Sequence, residues 1–318
     1  MAQTINSGEW YSAVKHDYLS DFIKQGGAAV KFVVGNSDVA LADVKEHLAV
    51  MAQDTGFIYA AVNAEQTRIH SIEQIFFQVA RQIDWEALAI KFMRDLLEAQ
   101  FNVPVSDGDF TIDKLAALNG CAPRDIRLAI NTRLEQRLFK DYAMTQEFRI
   151  AMMHLCNRQI DPDSLNVGLY QAVKEWLRGE LRLISTLKPA FIYQKIGRAN
   201  GRSMLYSLAH WLRLCGYNGL VLSLDITRYT QERPRDPDGS LYYSSTAVMD
   251  CYEVLRQFID STDEAGYCFI AVLATQRFVE LDEKRSVRIY DALKLRIWDE
   301  VHDRHRVNPL APLIRIDG

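Results

Sequence analysis

The sequence lacks any long apolar run. No stretch approaches the ~18 residues that span a bilayer, and the N-terminus, MAQTINSGEWYSAVKHDYL, has no apolar core of the kind that directs secretion. It also lacks a cysteine framework. Cys121, Cys156, Cys215, Cys251 and Cys268 form no CxxC pair, and an odd number argues against a disulfide scaffold, so reduced core residues are expected. A strong excess of either charge is missing. The net charge is −4 and the pI about 6.0, which removes a global basic signature for nucleic acid but leaves room for a local patch. GxSxG, HExxH and paired Cys/His nucleophile patterns are absent, as are repeats and low-complexity tracts. His302 and His305 in HDRH are spaced to share a helical face, but no Cys or Glu set converges on them, so solvated histidines are expected rather than metal ligands. Together these absences leave a cytoplasmic globular protein with no metal.

What is present is ordinary globular composition, 48% hydrophobic and 25% charged over 318 residues, enough for one large domain or two. AAVKFVVG (28–35) is rich in β-branched and aromatic residues and ends in glycine, as a buried strand does. Residues 39–53 predict a helix, with Val39, Val44, Leu48 and Met51 near helical spacing. GFIYAAVN (56–63) predicts a second strand, and HSIEQIFFQVARQI (70–83) a helix behind a serine cap. Strand–helix–strand–helix points to a parallel sheet with covering helices. From about 85 to 190 every segment has helical spacing and none reads as a strand. The α/β pattern then returns: a helix at 200–217, a strand at 219–226, a helix from Val248, a strand at 267–275, a helix from Ile289 to Arg304, and a final strand at 312–316. ERPRDPDGS (232–240) is a polar loop. The expected organisation is a first half of an α/β core in 1–85, a helical insertion in 86–190 and the second half of the core in 191–318.

FVVGNSDVALADVKEHL (32–48) has the outline of a phosphate-binding loop: an apolar strand, Gly35, a short loop and a helix. Such loops follow GxxxxGK[S/T]. The glycines let backbone amides close on phosphate, the lysine meets its charge, and the hydroxyl binds Mg²⁺. Aligned on Gly35, the second glycine slot holds Ala40, the lysine slot Leu41 and the hydroxyl slot Ala42, while Asp38 adds negative charge. A second component is an apolar strand ending in Asp, often followed by a Glu that polarises water. LVLSLDIT supplies Asp225, but Ile226 fills the carboxylate slot. Thr275 ends the next strand as a candidate polar sensor. Arg296, with Arg288 in reserve, is a candidate for reaching a neighbour's nucleotide.

GGAAVKFVVG (26–35), GFIYAAVN, EWLRGE (175–180), LCGYNGLVLSLDI (214–226), VLATQRF (272–278) and IYDALKLRI (289–297) keep the order and rough spacing of one family. The chain resembles the BREX-type phage-defence ATP-binding proteins, relatives of the origin-recognition branch of AAA+ proteins. The resemblance implies a P-loop NTPase-like parallel sheet with a helical insertion, AAA+-like without an evident C-terminal lid. It also implies a place in a multi-protein antiviral assembly. The departures at Leu41, Ala42 and Ile226 fall on the nucleotide chemistry. They predict a catalytically degenerate, structural or regulatory subunit with no cofactor, ATP and Mg²⁺ entering only if that reading fails. Protein partners are expected, a paralogous active ATPase among them, in a hetero- or homo-oligomer. An ATPase working through a non-standard loop is the alternative. TIDKLAALNGCAPRDIRLAINTRL (111–134) carries a further alternative. It has helix-turn-helix form, with Gly120 in the turn and Pro123 opening a helix whose Arg124, Arg127, Asn131 and Arg133 suit base edges in DNA. The competing interpretation is two ordinary packed helices, and Ile126, Leu128, Ile130 and Leu134 are expected inward in either case.

Overall fold

A computed structural model describes residues 4–101, 111–161, 167–232, 239, 241–280, 284–298 and 308–317. Contacts divide the chain into two compact units, residues 1–79 with 217–318, and residues 80–216.

The first unit holds a six-stranded parallel sheet. β1 (Ile5–Asn6) runs into α1 (Ser7–Ala13), which continues as a π-helical segment over Val14–Phe22. β2 (Ala28–Gly35) leads to α2 (Asp38–Asp54), and β3 (Ile58–Asn63) to α3 (Ile72–Gln82), whose last residues enter the second unit. The order across the sheet is β1-β6-β2-β5-β4-β3, with β4 (Leu220–Asp225), β5 (Cys268–Thr275) and β6 (Leu313–Asp317) returning from the later half of the chain. β2, β4 and β5 are near-continuous apolar runs because helices cover both faces of an all-parallel sheet. From β2 the chain crosses to the far edge at β3, and from β5 it crosses back over β2 to β6. The strand order therefore reverses at the end of β2, the place where open α/β sheets bind ligands. One glycine is fixed by close approach: a Cβ on Gly219, at φ 133°, would lie 2.0 Å from the Tyr267 carbonyl oxygen.

One face of the sheet packs on α1, its π-helical continuation and α2 through Trp10, Val14, Leu19, Leu41, Val44, Leu48 and Met51 against Val33, Val221, Phe269 and Leu273. The expected helix at 39–53 is present, but Val39 is 80% exposed. The buried stripe is Leu41, Val44, Leu48 and Met51, spaced three, four and three apart. The helix at the N-terminus was not expected.

No strand forms among the described residues of the second unit; its α-helices are α4 (Trp85–Phe101), α5 (Ile112–Asn119), α6 (Pro123–Leu134), α7 (Gln146–Ile160), α8 (Val167–Arg178) and α9 (Gly201–Leu214). α5 ends at Gly120, left-handed at φ 61°, and Pro123 opens α6, so the helix–turn–helix outline is formed as local chemistry dictates. Leu128, expected to pack, is 66% exposed, and the inward face of α6 is Ile126, Ile130 and Leu134. Back in the first unit, α10 (Thr227–Thr230) and α11 (Ser245–Asp260) follow β4 and precede β5. α12 (Asp291–Ile297) ends sooner than expected, Trp298 having extended backbone. Most of the 232–240 loop, and His302 and His305, lie outside the described residues.

Candidate functional site

Gly35, Thr275 and Asp225 come together at the C-terminal edge of the sheet. Gly35 is level with Thr275 on β5 and Ile316 on β6, while Asp225 is level with Leu273, two residues before Thr275. This is the geometry a phosphate loop and its metal-binding Asp require, and the contents decide what it can hold.

The loop itself is short. Only Asn36 and Ser37 separate Gly35 from α2, which begins at Asp38. Ser37 caps the helix, its Oγ accepting from the Ala40 amide at 3.1 Å, and the Leu41 amide donates to the Ser37 carbonyl at 3.2 Å. A phosphate cradle needs these amides free and splayed around an anion. Here the helix has extended backward through the segment that would form the cradle. Asp38, exposed in the first turn, takes the favourable end of the helix dipole with its own carboxylate. Leu41 is 2% exposed, and its side chain lies over Gly35 so closely that a Cβ there would be 2.8 Å from Leu41 Cγ and Cδ2. The slot of the missing lysine is thus filled by the first member of the core stripe. Ala40 is buried beside it and Ala42 is exposed.

Asp225 is equally committed. It is 6% exposed. Its Oδ1 accepts from the Thr227 amide at 3.0 Å and the Thr227 hydroxyl at 2.7 Å, capping α10. Its Oδ2 forms an ion pair with the Lys45 ammonium. Lys45 lies one helical turn beyond Leu41, so α2 does deliver an amine to this carboxylate, from inside the helix rather than from the loop. Both oxygens that would meet a metal ion already hold protein donors.

Behind Asp225 the chain is packed. Ile226 is fully buried, and its amide donates to the Leu273 carbonyl at 2.9 Å. Tyr229 stacks on Tyr243 with centroids 3.9 Å apart and planes 9° apart, and its hydroxyl lies 2.8 Å from His70 Nδ1. Burial raises the Tyr229 phenol far above its ordinary range. The Tyr243 hydroxyl donates to the Ala64 and Thr67 carbonyls at 2.5 and 3.0 Å. Thr275 Oγ1 lies 3.5 Å from Thr230 Oγ1, so the candidate sensor faces a neighbouring threonine. The slot that would hold a water-polarising Glu is occupied by the buried Ile226. Three features stand against a Mg²⁺–triphosphate here: Ser37 caps the Ala40 amide, Leu41 packs over Gly35, and Asp225 is paired with Lys45.

The remaining candidates are dispersed. Arg296 is held by Asp260 of α11, Nη2 lying 2.9 Å from Oδ2 and Nε bonding Oδ1, and its Nη1 donates to the Ala292 carbonyl at 2.6 Å. Arg256 also reaches Asp260, and pairs with Glu253 at 2.6 Å. The Arg256 guanidinium, aided by Tyr290 and Gln257, holds the Glu253 carboxyl down at about 2. Arg288 lies over the Trp298 ring at 4.8 Å. On α6, Arg124, Arg127, Asn131 and Arg133 are exposed, but Arg127 pairs with Asp161 at 2.5 Å and Arg133 bonds Gln100. Among the described residues no group of three or more His, Cys, Asp and Glu is placed to hold a metal, and the five cysteines are free thiols, all but Cys121 buried. No described helix is long and apolar enough to cross a membrane. Lys45 and Thr227 were missed by sequence reasoning. The available signal for Lys45 was its position one turn past Leu41 on the same helix.

A family model described as BREX system ATP-binding protein BrxC/D matches residues 10–318. No curated protein and no solved structure matches the chain.

Proposed function

The chain belongs to the BREX system ATP-binding protein family, BrxC/D, and from that premise we propose that it acts in its antiviral system as a subunit that keeps the nucleotide-binding fold without its chemistry. The observation that carries this reading is the Lys45–Asp225 ion pair. The Lys45 ammonium neutralises the carboxylate that would help hold a divalent cation, so its charge is balanced from within the chain. Leu41 over Gly35 and Ile226 in the carboxylate slot act in the same direction. Removing countercharge and water-orienting groups costs several orders of magnitude in phosphoryl-transfer rate.

A subunit of this kind works by presenting surfaces to protein partners, an active paralogous ATPase among them. Arg296 and the 284–298 segment are the candidate contribution to a neighbour's site, with Arg288 second. Arg296 would have to exchange Asp260 for the neighbour's phosphate, a charge-for-charge swap that assembly can drive. The test is ATP turnover by the purified protein with Mg²⁺. The expected rate is indistinguishable from that of Asp225→Ala. Mg²⁺-dependent turnover that Asp225→Ala abolishes would instead assign an ATPase using a non-standard loop.

A further inference from the structure

The helical unit carries a segment in which exposed rings and cations alternate with buried anchors. Residues 181–202, LRLISTLKPAFIYQKIGRANGR, contain five cations and no Asp or Glu. Phe191 is 67% exposed and Tyr193 61%, while Leu187, Ala190, Ile192 and Ile196 are buried. Phe191, Tyr193 and Lys195 are exposed, while Ala190, Ile192 and Ile196 between and beside them are buried. The backbone is fixed from behind. Trp176 Nε1 donates to the Gln194 carbonyl at 2.9 Å, and His154 Nε2 lies 3.2 Å from the Ala190 carbonyl.

Phe191, at φ 60°, is the left-handed residue that closes the 3-10 turn over Ile184–Ala190, its amide donating to the Lys188 carbonyl at 3.0 Å and the Ile192 amide to the Leu187 carbonyl at 3.2 Å, and its ring stays exposed. The cations Arg182, Lys188 and Arg198 are exposed and have no carboxylate partner among the described residues. Rings with open faces set among unpaired cations, on a rigid backbone, are what a base-stacking platform requires.

We propose that this strip binds single-stranded nucleic acid, with bases stacking on Phe191 and Tyr193 and phosphates drawn to Arg182, Lys188, Lys195 and Arg198. An acidic protein segment would use the cations but would draw little from two open aromatic faces. A duplex keeps its bases stacked internally and offers the rings nothing to replace. The site is separate from α6, and it stands or falls independently of the nucleotide site.

The experiment uses the full chain and a fluorescein-labelled oligothymidylate of about 20 nucleotides, long enough to cover several stacking sites, with anisotropy read at about 50 and 200 mM NaCl. The expected result is salt-sensitive binding. Phe191→Ala with Tyr193→Ala weakens it about 10–100-fold at unchanged salt slope, since each stacked base contributes roughly tenfold. Lys188→Ala with Lys195→Ala flattens the slope by about 1.4, from roughly 0.7 per phosphate contact. All four positions are exposed, so circular dichroism should be unchanged; Tyr193→Ala alone serves if the Phe191 change disturbs its turn. No binding at low salt by the folded protein, or binding that neither pair of substitutions alters, overturns the proposal. Equal or tighter binding of a matched duplex, or of a polyglutamate peptide, also overturns it and reassigns the strip to duplex or to an acidic protein.

Discussion

Leu41→Lys rebuilds the missing phosphate-loop lysine on paper, and it should damage the protein. Leu41 is 2% exposed and belongs to the apolar cluster with Val33, Val44, Leu48 and Leu273. Truncating a buried leucine costs about 2.7–5 kcal/mol. Lysine keeps part of the carbon volume but brings an ammonium that must leave the cluster past Gly35, where the leucine carbons already make the closest contacts. We expect a net loss of about 3–5 kcal/mol, which lowers Tm by roughly 6–20 °C at ~2–4 °C per kcal/mol. Ala42→Ser, at an exposed position, should stay within about 0.5 kcal/mol of wild type. Thermal and urea denaturation read both. A Leu41→Lys protein as stable as wild type would refute the assignment of Leu41 to the core, and with it the claim that the loop is closed by packing.

Lys45→Ala should destabilise by about 1–3 kcal/mol, because it leaves the 6%-exposed Asp225 without its cation while Lys45 itself is partly solvated; a double-mutant cycle with Asp225→Asn that shows no coupling would remove the ion pair from the account. The Glu253 carboxyl, held down at about 2 from 4.5, contributes stability that is present above its unfolded value and lost as pH falls through the folded one. Tm should therefore drop between about pH 4.5 and pH 2, and Glu253→Gln should flatten that drop; an unchanged acid profile would count against the Glu253–Arg256 contact. Arg296→Ala, which breaks an exposed pair with Asp260, should cost under about 1 kcal/mol in the isolated protein. It should reduce any stimulation of a partner ATPase, and equal stimulation by mutant and wild type would exclude Arg296 from that role.

The sheet was legible because β2, β4 and β5 are buried on both faces and so read as uninterrupted apolar runs, each ending at a residue of the site. The α2 stripe was legible only in part. Val39 and Leu41 are both apolar near the helix start, and the spacing from Leu41 to Val44 and Leu48, rather than from Val39, identifies the inward residue. The N-terminal helix carried a signal that went unused: Trp10 and Val14 are four apart and both fully buried. Contacts between distant residues had no local trace. Lys45 and Asp225 are 180 positions apart, and Asp260 and Arg296 are 36 apart, so nothing near either residue announces its partner. The exposed rings at Phe191 and Tyr193 were hidden for a related reason, since apolar residues in a helical region read as core until their exposure is known.

Calorimetric titration of the wild-type protein with ATP·Mg²⁺ tests most directly the claim that its own side chains fill the nucleotide site. The capped Ala40 amide of α2, Leu41 over Gly35 and Lys45 on Asp225 predict no binding heat beyond dilution, with or without Mg²⁺. Saturable, Mg²⁺-dependent binding with a low-micromolar Kd that Asp225→Ala abolishes would contradict it.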